Sequence, residues 1–532
     1  MNRPRLVAMV YAAAVAGLPG YLRADPASIP ANATAPISPG SASSSGPGES
    51  SVDRRTRAEQ PNSADPAAAL TGKTSPPAAV MKTPPPDATL AAQAAVGHAP
   101  DPLVARGAYL ARAGDCIACH TAKGGKPFAG GLAIGSPLGT IYSTNITPDP
   151  RYGIGNWSYD DFSRLMRHGE VKSGYVVYPA MPYPSYARLT DYDMKALYAY
   201  LMHGLQRVAQ QNRNNDIPWP LSMRWPLKLW RAAFAPDAAP FRASPHMSPE
   251  VSRGAYLVQG LGHCGSCHTP RAITLQEKAL DDAGGSVYLS GGGSIDGWIA
   301  PSLRAEHGGG LARWSTDDIV RFLKTGRTEG TASFGAMNDV VVDSTQYLTT
   351  DDVKSIALYL KSLGPHAGDA PTYAYDPRIA DAMYHGRPPD EGARIYLDRC
   401  AACHRSNGTG YGKAFPALAG NPVLQTHNPT SAIHIVLSGS AQPGTATAPS
   451  SLTMAPYANL LHDDEIARVV TFIQTAWGNR GGPASATDVA KMREKAEPVQ
   501  AAGFTAPMQR DLRRAEPGRS AESFSSGVAP GQ

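Results

Sequence analysis

Charge is scarce in this chain. Asp, Glu, Lys and Arg make up 17% of 532 residues, with a formal net charge of +5 and no basic run. That excludes the dense positive surface of a nucleic-acid-binding protein. Beyond the first two dozen residues no segment holds about 20 consecutive apolar residues, so a membrane-spanning helix is not expected. Residues 25–100 lack Phe, Tyr and Trp altogether and hold 13 prolines. Such a segment buries too little apolar surface to offset its chain entropy, and a disordered tether is expected there. The rest is not poor in this way: the chain is 42% hydrophobic, enough for packed cores. Its 53 glycines and 48 prolines, together about 19%, stand above the average yet below the level of disordered polymers, and read as long loops. Cysteine is scarcest of the informative residues, with six in all.

Those six fall in three pairs: Cys116-Ile117-Ala118-Cys119-His120, Cys264-Gly265-Ser266-Cys267-His268 and Cys400-Ala401-Ala402-Cys403-His404. Each is CxxCH, the attachment pattern of a c-type haem. Two thiols on one turn reach the two vinyl groups of one porphyrin, and the next residue offers an imidazole to the iron. Zinc ribbons pair their CxxC units closely, whereas these lie 148 and 136 residues apart. A thioredoxin-like CxxC needs no histidine after it, and no cysteine remains for a structural disulfide. Three covalently bound haem c groups are therefore expected. Their attachment takes place on the oxidising side of a bacterial inner membrane. Accordingly Arg3 and Arg5 precede an uncharged run over residues 6–22, with Ala24 before Asp25. That reads as a signal peptide over 1–24 and a periplasmic mature chain.

The surroundings of the three motifs repeat. Arg106-Gly107-Ala108-Tyr109-Leu110 and Arg253-Gly254-Ala255-Tyr256-Leu257 open the first two units, and the looser Gly392-Ala393-Arg394-Ile395-Tyr396 opens the third. A second helix is expected after Trp157-Ser158 and Trp314-Ser315, where serine caps and acids suit the helix dipole, and after Asn428-Pro429; Gly169, Gly326 and Gly439 end these helices. A third helix carries Tyr200, Tyr359 and Phe472 at one step, each expected to cross the small residue of the first helix (Gly107, Gly254, Gly392). The fold is thus expected to be mainly α, with three tandem cytochrome c-like haem domains. The partition is signal peptide 1–24, tether 25–100, first domain 101–210, Trp/Pro-rich linker 211–245, second domain 246–366, linker 367–385, third domain 386–480 and polar tail 481–532.

A six-coordinate iron needs a second axial ligand from the loop ahead of the third helix. Met181, Met337 and Met454 stand there, 65, 73 and 54 residues after the first haem cysteine. The expected iron ligands are His120 with Met181, His268 with Met337 and His404 with Met454; the thiols at Cys116, Cys119, Cys264, Cys267, Cys400 and Cys403 hold the porphyrins. Met166 and Met194 fall inside expected helices and read as core. His168 and His434 would allow bis-histidine ligation, but the second unit has no matching histidine. His/Met ligation fills both axial positions and raises the potential, so the role expected is electron transfer, with no catalytic residue of the chain's own.

With Asn145-Ile146-Thr147-Pro148-Asp149, Gly155-Asn156-Trp157-Ser158, Tyr178-Pro179-Ala180-Met181-Pro182-Tyr183 and Pro218-Trp219-Pro220-Leu221, residues 101–480 resemble the triheme cytochrome c subunits of bacterial membrane-bound alcohol, gluconate, sorbitol and fructose dehydrogenases. The resemblance implies electrons taken from a catalytic subunit carrying pyrroloquinoline quinone or FAD and passed to ubiquinone, with the chain peripheral on the periplasmic side of the inner membrane. Residues 217–234, with Trp219, Trp225 and Trp230 beside Arg224, Lys228 and Arg231, suit a membrane interface or a docking surface equally, and packing between domains as well. Two alternatives stand beside this reading: a multihaem enzyme with one open iron, peroxidase-like or sulfur-oxidising, and the cytochrome subunit of a molybdenum hydroxylase.

Overall fold

The computed structural model describes residues 101–495 apart from 296, 367–371 and 443. The expected signal peptide, the tether and residues 496–532 lie outside the described residues.

The chain enters α1 (Pro102–Ala113), where the Asp101 carboxylate caps the Leu103 amide and Pro102 occupies a position that needs no N–H. An antiparallel hairpin follows, β1 (Ala133–Ser136) with β2 (Gly139–Tyr142), in register Ala133 to Tyr142. Then come α2 (Tyr159–His168) and α3 (Asp191–Ala199). Ser158 and Asp161 form a reciprocal capping box at the start of α2, worth about 1 kcal/mol, and Gly169 ends the helix at φ 68°. After α4 (Trp225–Phe234) the pattern returns as α5 (Pro249–Gln259), the hairpin β3 (Ser294–Ile295) with β4 (Trp298–Ile299), α6 (Thr316–Thr325) and α7 (Thr350–Ser362). Ser315 and Asp318 box the start of α6, and Gly326 closes it at φ 71°. The last segment runs α8 (Glu391–Arg399), α9 (Thr430–Ser438), β5 (Ser440–Gln442) with β6 (Leu452–Met454), α10 (Asp463–Thr475) and α11 (Ala486–Arg493).

In each segment the first helix crosses the last long one: α1 on α3, α5 on α7 and α8 on α10. A β-carbon on Gly107 would fall 1.9 Å from the Ala196 carbonyl oxygen and 2.6 Å from Tyr200 Cβ. At Gly254 the distances are 1.9 Å to Ser355 O and 2.8 Å to Tyr359 Cβ; at Gly392 they are 2.4 Å to Arg468 O and 3.0 Å to Phe472 Cβ. The crossing read from the sequence is present three times, and glycine is required there for close approach rather than for φ.

Two expectations change. The stretch from 481 was read as the start of a polar tail, but α11 packs on α9 and α10, with Val489 fully buried and Arg493 Nε donating to Asp463 at 2.7 Å. A Ser485/Asp488 capping box starts it, and one buried valine with Met492 one turn on suffices to seat a helix that reads as polar by composition. The Trp/Pro-rich linker over 211–245 was expected to join two domains, with no helix assigned to it. Pro226 instead sits in the first turn of α4, where its missing N–H costs nothing, and α4 buries Leu227 and Trp230.

The cores are unequally shared. One continuous cluster takes in α1, α2, α3, α5, α6 and α7, including the fully buried Leu110, Met194, Leu257 and Tyr359. A second, separate cluster is built from α8 to α11 around Tyr396, Phe472 and Trp477. Between the first two segments lies a reciprocal clasp. Arg106 Nε donates to Asp193 at 2.7 Å, and Tyr256 of the other segment donates to the second Asp193 oxygen at 2.6 Å. In mirror fashion Arg253 holds Asp352 through two bonds of 2.8 Å, while Tyr109 of the first segment also donates to Asp352. Each tyrosine oxygen in addition accepts from the N-cap amide of its partner helix, Thr190 (3.4 Å) and Thr349 (3.2 Å).

Candidate haem sites

Each CxxCH occupies a single helical turn directly after the first helix of its segment. The turn is the same in all three: the His120, His268 and His404 amides donate to the carbonyls of Cys116, Cys264 and Cys400, each at 2.9 Å. One turn of helix sets two side chains three apart on one face, the spacing two thioether bonds to one ring require. None of the six cysteines is in a disulfide. Cys116, Cys264 and Cys400 remain partly accessible, yet surrounding protein pushes their thiols up to about 12. Among the described residues no group of three or more His, Cys, Asp or Glu could hold a metal ion by itself.

The histidines show a fit to haem most directly. His120 Nδ1 lies 2.7 Å from Thr144 O, His268 Nδ1 2.7 Å from Pro301 O and His404 Nδ1 2.9 Å from Pro416 O. A carbonyl only accepts, so in each ring the proton sits on Nδ1 and the Nε2 lone pair is left for a metal. Burial pulls all three imidazoles below their ordinary value, the carbonyl bond opposing it, and keeps them in the neutral form that ligates. Beyond each histidine a glycine at positive φ returns an amide to its carbonyl: Gly130 (φ 73°), Gly291 (φ 105°) and Gly410 (φ 62°). The carbonyls and glycines that orient the rings escape a reading by residue type. Only the recurrence of glycine 10, 23 and 6 residues after the histidine hints at them, and the unequal spacing hides it.

Met181 and Met337 are partly buried against the shared core, and Met454 against the third segment's core. Met181 follows a tight turn closed on Tyr178 O, Met337 lies in the one-turn helix Ala336–Asp339, and Met454 ends β6 opposite Ser440. Met166 and Met194 are core residues of α2 and α3, as read. His434, the bis-histidine candidate, stacks on Trp298 with ring centroids 3.9 Å apart, and its Nδ1 lies 3.1 Å from Gly297 O. Beside the first motif, burial, Asp343 and Asp339 push the Asp115 carboxyl up to about 8.

The cytochrome c family model matches residues 104–204 and 389–477. The chain is 52% identical over 421 residues to the alcohol dehydrogenase (quinone) cytochrome c subunit of Gluconacetobacter polyoxogenes, covering 78% of this chain and 90% of that one. It is 53% identical over 408 residues to the gluconate 2-dehydrogenase cytochrome c subunit of Pantoea cypripedii, with 76% and 92% covered. This chain belongs to the family of dehydrogenase cytochrome c subunits. A more distant member, the fructose dehydrogenase cytochrome subunit of Gluconobacter japonicus, is 35% identical over 434 residues, covering 76% of this chain and 86% of that one. As a cytochrome c the chain binds haem c covalently, and as a member of this family it is an electron-transfer subunit that works with a dehydrogenase. The family model passes over the second CxxCH, although that motif has the same turn, the same imidazole geometry and the same glycine return as the other two.

Proposed function

We propose that this chain carries three haem c groups in three cytochrome c domains, one on each CxxCH, with axial pairs His120/Met181, His268/Met337 and His404/Met454. Bound haem supplies a one-electron iron couple, and a His/Met pair closes both axial positions to substrate. The chain then relays electrons singly from a catalytic subunit bearing pyrroloquinoline quinone or FAD to ubiquinone. The upstream oxidation of an alcohol, sugar or sugar acid releases two electrons and two protons; ubiquinol formation consumes both. The observation that carries this reading is the thrice-repeated imidazole, its Nδ1 fixed on a backbone carbonyl beside a free CxxC turn.

The pyridine haemochrome assay on the mature chain is expected to give three haems, and the optical and EPR spectra of the untreated chain to show every iron low-spin. Substrate is expected to reduce ubiquinone only when the catalytic subunit is present. A count of two, or one high-spin iron, would sink the closed-relay reading in favour of an open-haem enzyme.

For location, the same reading sets the mature chain at the periplasmic face of the inner membrane. No described helix is long and apolar enough to cross it, and this reading takes the contact as peripheral. Residues 217–236 hold Arg224, Lys228 and Arg231 with no acidic residue, and Trp219 (79% exposed), Trp225 and Leu229 are exposed; Ile273 (96% exposed) precedes Thr274, whose carbonyl accepts from Trp230 at 2.8 Å. Tryptophan and leucine beside Arg224 and Lys228 fit an anionic lipid surface, while Arg231 is paired with Glu170 at 3.3 Å. Sedimentation with vesicles containing phosphatidylglycerol is expected to fall at least several-fold in Trp219→Ser/Trp225→Ser. Unchanged sedimentation, or loss of the catalytic subunit instead of the vesicles, counts against this face.

A further inference from the structure

The Met337 loop differs from its two counterparts in what holds it. The turn before Met181 is fixed by its own segment and the linker that follows it: the Met181 amide donates to Tyr178 O, and the Tyr178 hydroxyl is tied to Leu221 O at 3.1 Å. Met454 is fixed by β5 across its own hairpin. The loop Phe334-Gly335-Ala336-Met337-Asn338 is instead gripped on both sides of the methionine, and each grip leads to the third segment.

Upstream, Gly335 takes φ 55° and lies flat against the Trp298 indole; a β-carbon there would come within 2.8 Å of three ring atoms. Phe334 packs on the same indole with centroids 5.3 Å apart, and the indole stacks on His434 of α9 at 3.9 Å and 14°. The neighbouring Ile299 amide donates to Ser431 Oγ of α9 at 2.9 Å, which pins the hairpin bearing Trp298 to that helix. Downstream, Asn338 Oδ1 accepts from Ser333 Oγ at 2.6 Å, and its Nδ2 donates to Ala441 O at 2.8 Å. Ala441 lies in β5, and the residue before it, Ser440, pairs with Met454. The side chain next to one candidate ligand is therefore hydrogen-bonded to the strand that pairs with the other.

We propose that the third segment positions the sixth ligand of the second haem, with Asn338 and Trp298 as positioning residues that hold Met337 on its iron. This rests on the reading of Met337 as that ligand. A side chain placed by a gripped backbone keeps its bond to iron without the entropy of a free loop, and a loop released at either end loses the weak thioether bond before anything else. The junction between the second and third segments thereby couples the two ligand loops.

The test uses the haem-loaded full chain and follows the methionine-to-iron charge-transfer band of the oxidised protein together with a spectroelectrochemical titration. Met337→Ala is expected to remove about one third of the band, one iron of three. Asn338→Ala and Trp298→Ala are each expected to weaken the same component and shift one midpoint downward, with the other two unmoved. His434→Phe, which keeps a ring on Trp298, is expected to retain the band, and His434→Ala to lose part of it. If Met337→Ala takes its third of the band while Asn338→Ala and Trp298→Ala leave band and potentials unchanged, the positioning role is overturned alone. If Met337→Ala leaves the band intact, the ligand assignment falls and the inference with it. Equal shifts at all three irons would show general loosening and would also overturn it.

Discussion

The junction between the first and second segments and the junction between the second and third are built on different principles. At the first, α1 to α3 and α5 to α7 contribute to one apolar core, sealed by a clasp in which each segment's Arg and Asp receive the other's Tyr. At the second, the cores stay separate, and most of the links run from a side chain to a backbone carbonyl: Arg327 to Ala448 at 3.3 Å, Asn338 to Ala441, Arg313 to Gly420. The third segment spends the clasp positions on itself. Where Arg106 and Tyr109 stand, it has Glu391 and Arg394, which pair with each other along α8. The lesson is that the Arg-Gly-Ala-Tyr-Leu opening has two roles: its glycine serves helix crossing within every segment, while its Arg and Tyr serve only the fused pair.

The largest effect that would break this comparison comes from the crossing glycines. Gly254→Ala drives a methyl into the Ser355 carbonyl, and Gly392→Ala drives one into that of Arg468. Overpacking of this kind costs about 1–3 kcal/mol. Because the first two segments share a core, Gly254→Ala is expected to lower the melting of both motifs' surroundings in one transition. Gly392→Ala is expected to shift only the third. Calorimetry of the haem-loaded chain reads this directly; two separable transitions within the first two segments in Gly254→Ala would mean the shared core is not a cooperative unit.

How far the sequence anticipates this architecture depends on whether a feature is local. CxxCH, the serine caps at Ser158 and Ser315, the αL glycines at Gly169 and Gly326 and the three glycine crossings are each set by residues within a turn or at a repeated step, and all are present. What the sequence conceals is long-range. Tyr109 finds Asp352 across 243 positions, and nothing local to either residue announces the pairing. The carbonyls of Thr144, Pro301 and Pro416 that set the imidazole tautomer are backbone groups, which every residue has. Helix α11 was concealed by composition, since one buried valine decides it.

A smaller effect is expected at the clasp. Tyr109→Phe and Tyr256→Phe each remove one bond to a carboxylate and leave the N-cap amides of Thr349 and Thr190 to water. Each is expected to cost about 1–2 kcal/mol, in keeping with hydrogen bonds to charged groups, part-buried at Tyr109 and buried at Tyr256. Chemical denaturation should show the two losses to be similar in size, as the pseudo-symmetric geometry requires. Arg394→Ala, at the matching position of the third segment, is expected to leave the denaturation midpoint nearly unmoved, because its partners are exposed and on its own helix. A loss at Arg394 equal to that at Tyr109 would erase the distinction between the junctions.

The smallest effect is a dependence on acid. Burial alone would raise the Asp352 carboxyl, but the bonds from Arg253 and Tyr109 outweigh it and hold the group below its ordinary value. A carboxyl depressed in the folded state contributes stability that is present above its unfolded pKa, about 4, and is lost as pH falls through the folded value. The fused pair should therefore weaken below about pH 4, and Asp352→Asn should flatten that part of the profile. Glu465, at the matching position of the third segment, caps its own helix through the His462 amide at 2.8 Å, and among the described residues no tyrosine of another segment bonds to it as Tyr109 does to Asp352. Melting followed from pH 6 downward in the parent chain and in Asp352→Asn should hence differ in the transition of the first two segments and coincide in that of the third. Coincidence in both would show that the clasp carboxylate carries no folding energy of its own.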